Sequence, residues 1–130
     1  MSVGVIDAGV AIGWIQGQHR SAERLRRLFE ACRSRKLDLV ISVVNLAEVL
    51  IHTVDIARAT GVDQVALLRA WGVAVHPPDE SVARRVARLR TSLADGFAAA
   101  TAQELSGRLH TTDRELVRRL RPSRLLVTYY

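Results

Sequence analysis

Val3-Gly4-Val5-Ile6-Asp7 decides how this chain is read. Residues 3–6 are short, apolar and rich in β-branched side chains, which predicts a strand buried on both faces. Asp7 ends it with a carboxylate. Comparable short runs follow at Leu37 to Ile41, Val73 to His76 and Leu125 to Tyr129, and the more polar Arg108 to Thr111 reads as a further strand. The segments between them read as helices. His19 to Lys36 carries an apolar stripe of Leu25, Leu28, Phe29 and Cys32 opposite a face of arginines. Ser42 caps a helix running to about Ala59, with Gly61 beyond it, and Val62 to Trp71 forms another, ended by Gly72. Asp79 to Arg90, Ser92 to Leu105, and a short stretch from Thr112 or Asp113 to about Leu120 complete the set. Strands that alternate with helices predict an α/β fold, a mostly parallel sheet with helices on both faces, in a single domain over residues 1–130.

Composition narrows the function. Hydrophobic residues make up 48% of the 130, enough for a packed core. The formal charge is +6, and Lys36 is the sole lysine, so the basic residues are almost all arginine. Such a balance fits either a polyanionic partner or a solvated, arginine-rich surface. Cys32 is alone, which excludes an intrachain disulfide. The amino terminus lacks the long apolar run of a signal peptide or membrane span, so a cytoplasmic protein is expected. There is no GxxxxGK loop, no GxGxxG, no HExxH and no paired-cysteine spacing, which disfavours nucleotide-dependent phosphotransfer and a zinc centre.

Four acids stand out from this apolar background. Asp7 closes the first strand; Glu48 lies within Val43-Val44-Asn45-Leu46-Ala47-Glu48-Val49-Leu50; Asp95 follows Ser92-Leu93-Ala94; Asp113 follows Leu109-His110-Thr111-Thr112. Each has a structural explanation. Asp95, three residues after Ser92, matches a capping box, and Asp113 suits a helix N-cap. Glu48 is flanked by Leu46, Ala47, Val49 and Leu50, which leaves little solvated face. An acid ending a buried strand, as Asp7 does, needs a partner. In open α/β sheets ligands bind beyond the carboxyl ends of the strands, and that rule brings Asp7 and Asp113 to one edge. Carboxylates gathered there call for a cation, and hard oxygen donors suit Mg²⁺ or Mn²⁺. Thr111, Thr112 and Arg114 flank Asp113 as candidate substrate contacts. Arg84, Arg85, Arg88 and Arg118 are further candidates for phosphate contacts. Trp14 and Trp71 read as packing residues, and Glu48, His52 and Asp55 share one face of the expected helix.

Taken in order and spacing, Val5-Ile6-Asp7-Ala8-Gly9-Val10, Ile41-Ser42-Val43-Val44-Asn45-Leu46-Ala47-Glu48, Ser92-Leu93-Ala94-Asp95-Gly96-Phe97-Ala98 and Leu109-His110-Thr111-Thr112-Asp113-Arg114 resemble the PIN-domain ribonucleases, most closely the VapC-like toxins of type II toxin–antitoxin systems. The resemblance implies a three-layer α/β/α fold with four to five strands. It also implies a Mg²⁺-dependent endoribonuclease, with Mn²⁺ as a substitute, whose site is Asp7, Glu48, Asp95 and Asp113. Asp7 and Asp95 would be the nearest metal ligands. The implied partners are RNA, a cognate VapB-like antitoxin and a second copy of the chain. The alternative from another class is a catalytically inactive PIN-fold module that binds RNA or a partner. One departure is Gly9, where such proteins often carry serine or threonine.

Overall fold

The computed structural model describes residues 2–130. In chain order the elements are β1 (Val3–Ile6), α1 (Ala8–Gln16), α2 (Ala22–Arg33), β2 (Asp38–Ser42), α3 (Val43–His52), α4 (Val54–Thr60), α5 (Gln64–Ala70), β3 (Ala74–His76), α6 (Glu80–Leu89), α7 (Leu93–Glu104), β4 (Arg108–Thr111), α8 (Arg114–Arg119) and β5 (Val127–Tyr129), with a 3₁₀ turn at Arg121–Ser123. The sheet is parallel throughout, in the order β3-β2-β1-β4-β5. Helices pack on both of its faces, which makes the α/β/α sandwich that the alternation of elements implied.

Side-chain alternation along the strands builds one core on each face. Ile6, Leu39 and Ile41 pack with α1, α2, α3 and α5 around fully buried Leu25 and Phe29. Val5, Val40, Leu109 and Val127 face the other way, onto Ala98, Ala99 and Ala102 of α7 and Leu116 of α8. Trp14 stacks on Phe29 with centroids 4.0 Å apart, and Trp71 meets Trp14 edge-on at 5.0 Å. Both tryptophans are therefore packing residues, as expected. His110 is buried on β4, where its Nδ1 pairs with the Tyr130 hydroxyl at 2.8 Å. Burial, with some help from Arg108, lowers its pKa to about 4, so the ring is neutral near pH 7.

Three local features differ from the sequence expectation. First, the segment after Asp7 is helical, and no helix was expected there. The Asp7 carboxylate caps it, with Oδ1 accepting from the Val10 amide at 2.9 Å. Second, the helix expected from Ser42 to about Ala59 breaks at Thr53. The buried Thr53 hydroxyl donates to the Val49 carbonyl at 2.6 Å and accepts from Gln64 Nε2 at 3.2 Å. A back-bond of this kind bends helices. Glu48 and Asp55 therefore lie on different helices. Third, α2 begins at Ala22 rather than His19. Among the described residues, no helix is long and apolar enough to cross a membrane.

Candidate active site

The chain runs from β1 to β2 and β3 on one side, then returns to place β4 on the other side of β1. The carboxyl ends of β1 and β4 therefore flank a topological switch point, where an open parallel sheet leaves a crevice. Asp7 follows β1 and Asp113 follows β4. Their backbones are joined at that point: the Asp7 amide donates to the His110 carbonyl at 3.1 Å. Glu48 reaches the same place from α3 and Asp95 from the first turn of α7. All four acids line one cleft of about 190 Å³, together with Gly9, Asn45 and Thr112.

Capping and clustering turn out to be compatible, because a carboxylate has two oxygens. Asp113 Oδ1 accepts from the amides of Glu115 and Leu116, at 2.9 and 3.2 Å. Ser92 Oγ accepts from the Asp95 amide at 3.4 Å, which places Asp95 in the first turn of α7. The amino-terminal ends of α1 and α7 thus meet at the cleft and favour negative charge there.

The electrostatics still disfavour a bare tetrad. Asp7 is 5% exposed. Burial raises its pKa from the ordinary 3.8 to about 6, against the opposing pull of the Thr111 hydroxyl and the Val10 amide; Asp95 adds to the rise. Asp95 is raised as well, first by burial and then by the like charges of Asp113 and Glu48. Asp95 thus opposes the ionisation of Asp7, and Asp113 and Glu48 oppose that of Asp95, a repulsion that a cation in the cleft would relieve. A second observation points the same way. Asn45 is 1% exposed, and its Nδ2 donates to the Ala94 carbonyl at 3.0 Å. That bond fixes the amide orientation, ties α3 to α7, and leaves Oδ1 buried without a donor. Four carboxylates and an orphaned amide oxygen form a donor set suited to Mg²⁺ or Mn²⁺. The cleft is open rather than a closed cage: among the described residues no three His, Cys, Asp or Glu side chains converge tightly enough to chelate an ion by themselves. Mg²⁺ binds in this manner, taking one or two carboxylates and keeping much of its water.

The neighbouring hydroxyls separate in role. Thr111 is fully buried; its Oγ1 donates to Asp7 Oδ2 and accepts from the Asp113 amide at 3.0 Å. It positions two acids and has no surface left for a substrate. Thr112 lines the cleft, and its placement accounts for Gly9. A Cβ on residue 9 would stand 2.1 Å from Thr112 Oγ1 and 3.5 Å from Asp7 Oδ1. Thr112 therefore brings a hydroxyl into the space that a side chain at position 9 would fill. Arg114 does not line the cleft and lies instead over the Tyr129 ring, 5.5 Å from its centroid. Asn45 was not among the site residues expected from the sequence; its lone polar side chain among Val44, Leu46 and Ala47 was the available signal.

Comparison with known proteins places this geometry. In solved structures the chain is similar to VapBC2 from Rickettsia felis bound to a promoter DNA fragment (TM-score 0.71, 13% identity, 98% of each chain covered). It is also similar to a toxin–antitoxin complex from Klebsiella pneumoniae (TM-score 0.69, 19% identity, 98% of each chain). A third is FitAcB from Neisseria gonorrhoeae (TM-score 0.61, 21% identity, 98% of this chain and 96% of that one). At these identities the likeness is one of fold. No curated protein sequence matches. The model of the PIN domain matches residues 4–121, from β1 to the 3₁₀ turn. Since that match covers most of the chain and takes in every acid of the cleft, this chain belongs to the PIN domain family.

Proposed function

We propose that this chain is a divalent-cation-dependent endoribonuclease, the toxin of a VapBC-type toxin–antitoxin pair. PIN domains are generally nucleases, and such nucleases typically use divalent metals. The observation that carries the reading is the convergence of Asp7, Glu48, Asp95 and Asp113 on one cleft at the switch point of the sheet.

Asp7 and Asp95 are the acids best suited to hold Mg²⁺ or Mn²⁺ directly, because burial and mutual repulsion leave both short of compensating charge. When bound, the cation supplies positive charge and Lewis-acid polarisation to a phosphodiester in the cleft. Thr111 holds the Asp7 carboxylate in one orientation, and the Asn45–Ala94 bond sets the spacing between Glu48 on α3 and Asp95 on α7. Glu48 and Asp113 then remain to orient an attacking water and accept its proton. Direct hydrolysis by a water held among these carboxylates is the reaction proposed. The partners proposed are an RNA strand, a VapB-like antitoxin and a second copy of the chain. Support for a protein partner comes from an apolar groove of about 190 Å³ lined by Ile15, Ile56, Val62 and Leu67.

The test is incubation of structured RNA with purified protein and Mg²⁺, beside Asp7→Asn, Asp95→Asn and an EDTA control. Cleavage lost in all three is expected. RNA binding without cleavage, indifferent to EDTA, would replace the enzyme by a non-catalytic module.

A further inference from the structure

Two sets of arginines differ in how their charge is held. Arg26, Arg84, Arg85, Arg118 and Arg119 are ion-paired with glutamates on the helices, so their charge is largely cancelled. Arg20, Arg24 and Arg114 have no carboxylate partner among the described residues and gather instead on two tyrosines at the end of β5. Arg20 lies 5.1 Å from the Tyr129 ring centroid and donates to the Tyr129 hydroxyl. Arg114 lies 5.5 Å from the same ring. Arg24 sits 4.5 Å from the Tyr130 ring and donates to the Tyr129 carbonyl at 3.0 Å.

A guanidinium seated on a ring is restrained yet keeps its full charge and most of its N–H donors; one in an ion pair has spent both. Ordering these three side chains in advance lowers the entropy cost of gripping an anion. Their place is as informative as their state. Tyr129 pairs in register with Thr111 on the adjacent strand, one strand spacing of about 4.8 Å away. Thr111 holds Asp7 and Asp113, and Arg114 directly follows Asp113. The cationic platform therefore borders the acidic cleft on its β5 side. A strand whose scissile phosphate enters the cleft must lay its neighbouring phosphates nearby, and positive side chains interleaved with aromatic rings are the usual footing for single-stranded nucleic acid.

We propose that Arg20, Arg24 and Arg114, seated on Tyr129 and Tyr130, form a phosphate clamp for the RNA segment flanking the bond to be cut. The proposal rests on the nuclease reading of the cleft beside it. It sets a direction for the substrate: the strand leaves the cleft across β5, not across β3.

The experiment measures binding apart from cleavage. In an Asp7→Asn background, without divalent cation, the affinity for a labelled single-stranded RNA is followed by fluorescence anisotropy between about 50 and 200 mM salt. Arg20→Ala/Arg114→Ala is expected to make the slope of log affinity against log salt shallower by about 0.7 for each phosphate that is no longer neutralised, about 1.4 for the pair. Arg26→Ala/Arg84→Ala removes the same formal charge from ion-paired positions and should leave the slope nearly unchanged. Tyr129→Leu keeps every charge but frees Arg20 and Arg114, and should weaken binding several-fold. Equal slope changes in both arginine pairs would reduce the effect to net charge and overturn the clamp. So would an arginine-dependent grip on an oligoglutamate peptide with none on RNA, which would assign the surface to an acidic protein segment. Cleavage by the unmutated chain is scored separately. Clamp-dependent binding without cleavage would refute the nuclease and leave the platform as an RNA-binding surface; cleavage with unaltered slopes would refute the clamp alone.

Discussion

Replacing Asp7 by asparagine should make the metal-free protein more stable at neutral pH while abolishing its proposed activity. The size of the effect follows from burial. An aspartate whose pKa is near 3.8 in the open chain and about 6 in the fold is harder to ionise once folded, by about 3 kcal/mol at roughly 1.4 kcal/mol per tenfold. The sign follows from proton binding. Between pH 3.8 and 6 the folded state holds the proton more tightly, so stability falls as pH rises through that window. Below it both states are protonated and the penalty is absent; above it the full penalty applies. Asparagine removes the charge. Its oxygen can still accept from the Val10 amide, but its NH₂ faces the Thr111 hydroxyl, which must turn from donor to acceptor. That exchange costs about 1 kcal/mol. The net gain expected at pH 7 is about 2 kcal/mol, or several degrees in the unfolding midpoint of a chain this size. Urea unfolding in EDTA at pH 7 and at pH 4 measures it: the variant should exceed the parent at pH 7, and the advantage should largely vanish at pH 4. A variant no more stable than the parent at pH 7, or a difference equal at both pH values, would refute the account of Asp7 as a strained, charge-bearing site residue.

Three further outcomes test the same picture. Gly9→Ala gains about 1 kcal/mol of helix propensity but forces the Thr112 hydroxyl from its rotamer, a loss of about the same size, so the single change should be near neutral. Adding Thr112→Ala should release the gain, and a denaturation double-mutant cycle should return a coupling of about 1 kcal/mol. Gly107→Ala would place its Cβ 2.7 Å from the Val3 carbonyl, a backbone atom unable to swing aside, and should lower stability by about 1–3 kcal/mol in urea titration. Mn²⁺ should raise the thermal midpoint of the unmutated chain in proportion to RT ln(1 + [L]/Kd), and do so far less for Asp95→Asn, as read by scanning calorimetry.

How far the sequence revealed this molecule depended on how local each determinant is. The strands were legible because residues such as Val3 to Ile6 and Leu37 to Ile41 carry their own pattern, and the order of elements then placed Asp7 and Asp113 at one edge. Helix α1 was not legible. Its sequence, Ala8 to Gln16, is apolar on every side and contains Gly9 and Gly13, so it shows neither a stripe nor strong propensity. The clue was Asp7 itself, read as a strand-ending acid when it is equally an N-cap. The break at Thr53 was hidden for a different reason, since it depends on Gln64, eleven residues away, meeting the Thr53 hydroxyl. Thr112 filling the space beside Gly9 lies beyond any local reading. The two residues come from opposite ends of the chain, and only the parallel pairing of β1 with β4 brings them together.

That pairing also explains why one short region of the sheet can be both a stable fold and a strained site. His110 and Asp7 are buried at adjoining positions of β4 and β1, and burial favours the neutral form of each. Their contributions to stability run in opposite directions with pH. The depressed His110 loses stability as pH falls from 6.5 toward 4, whereas Asp7 loses it as pH rises from 3.8 toward 6. Over the same interval the two partly cancel. The imidazole has the Tyr130 hydroxyl as its partner and needs nothing more. The carboxylate has Thr111 and Val10 and remains raised, with Asp95 opposing it across the cleft. Of two buried titratable groups one strand apart, the acid is the one raised by a like charge facing it across the cleft, and that is the charge the proposed cation would offset.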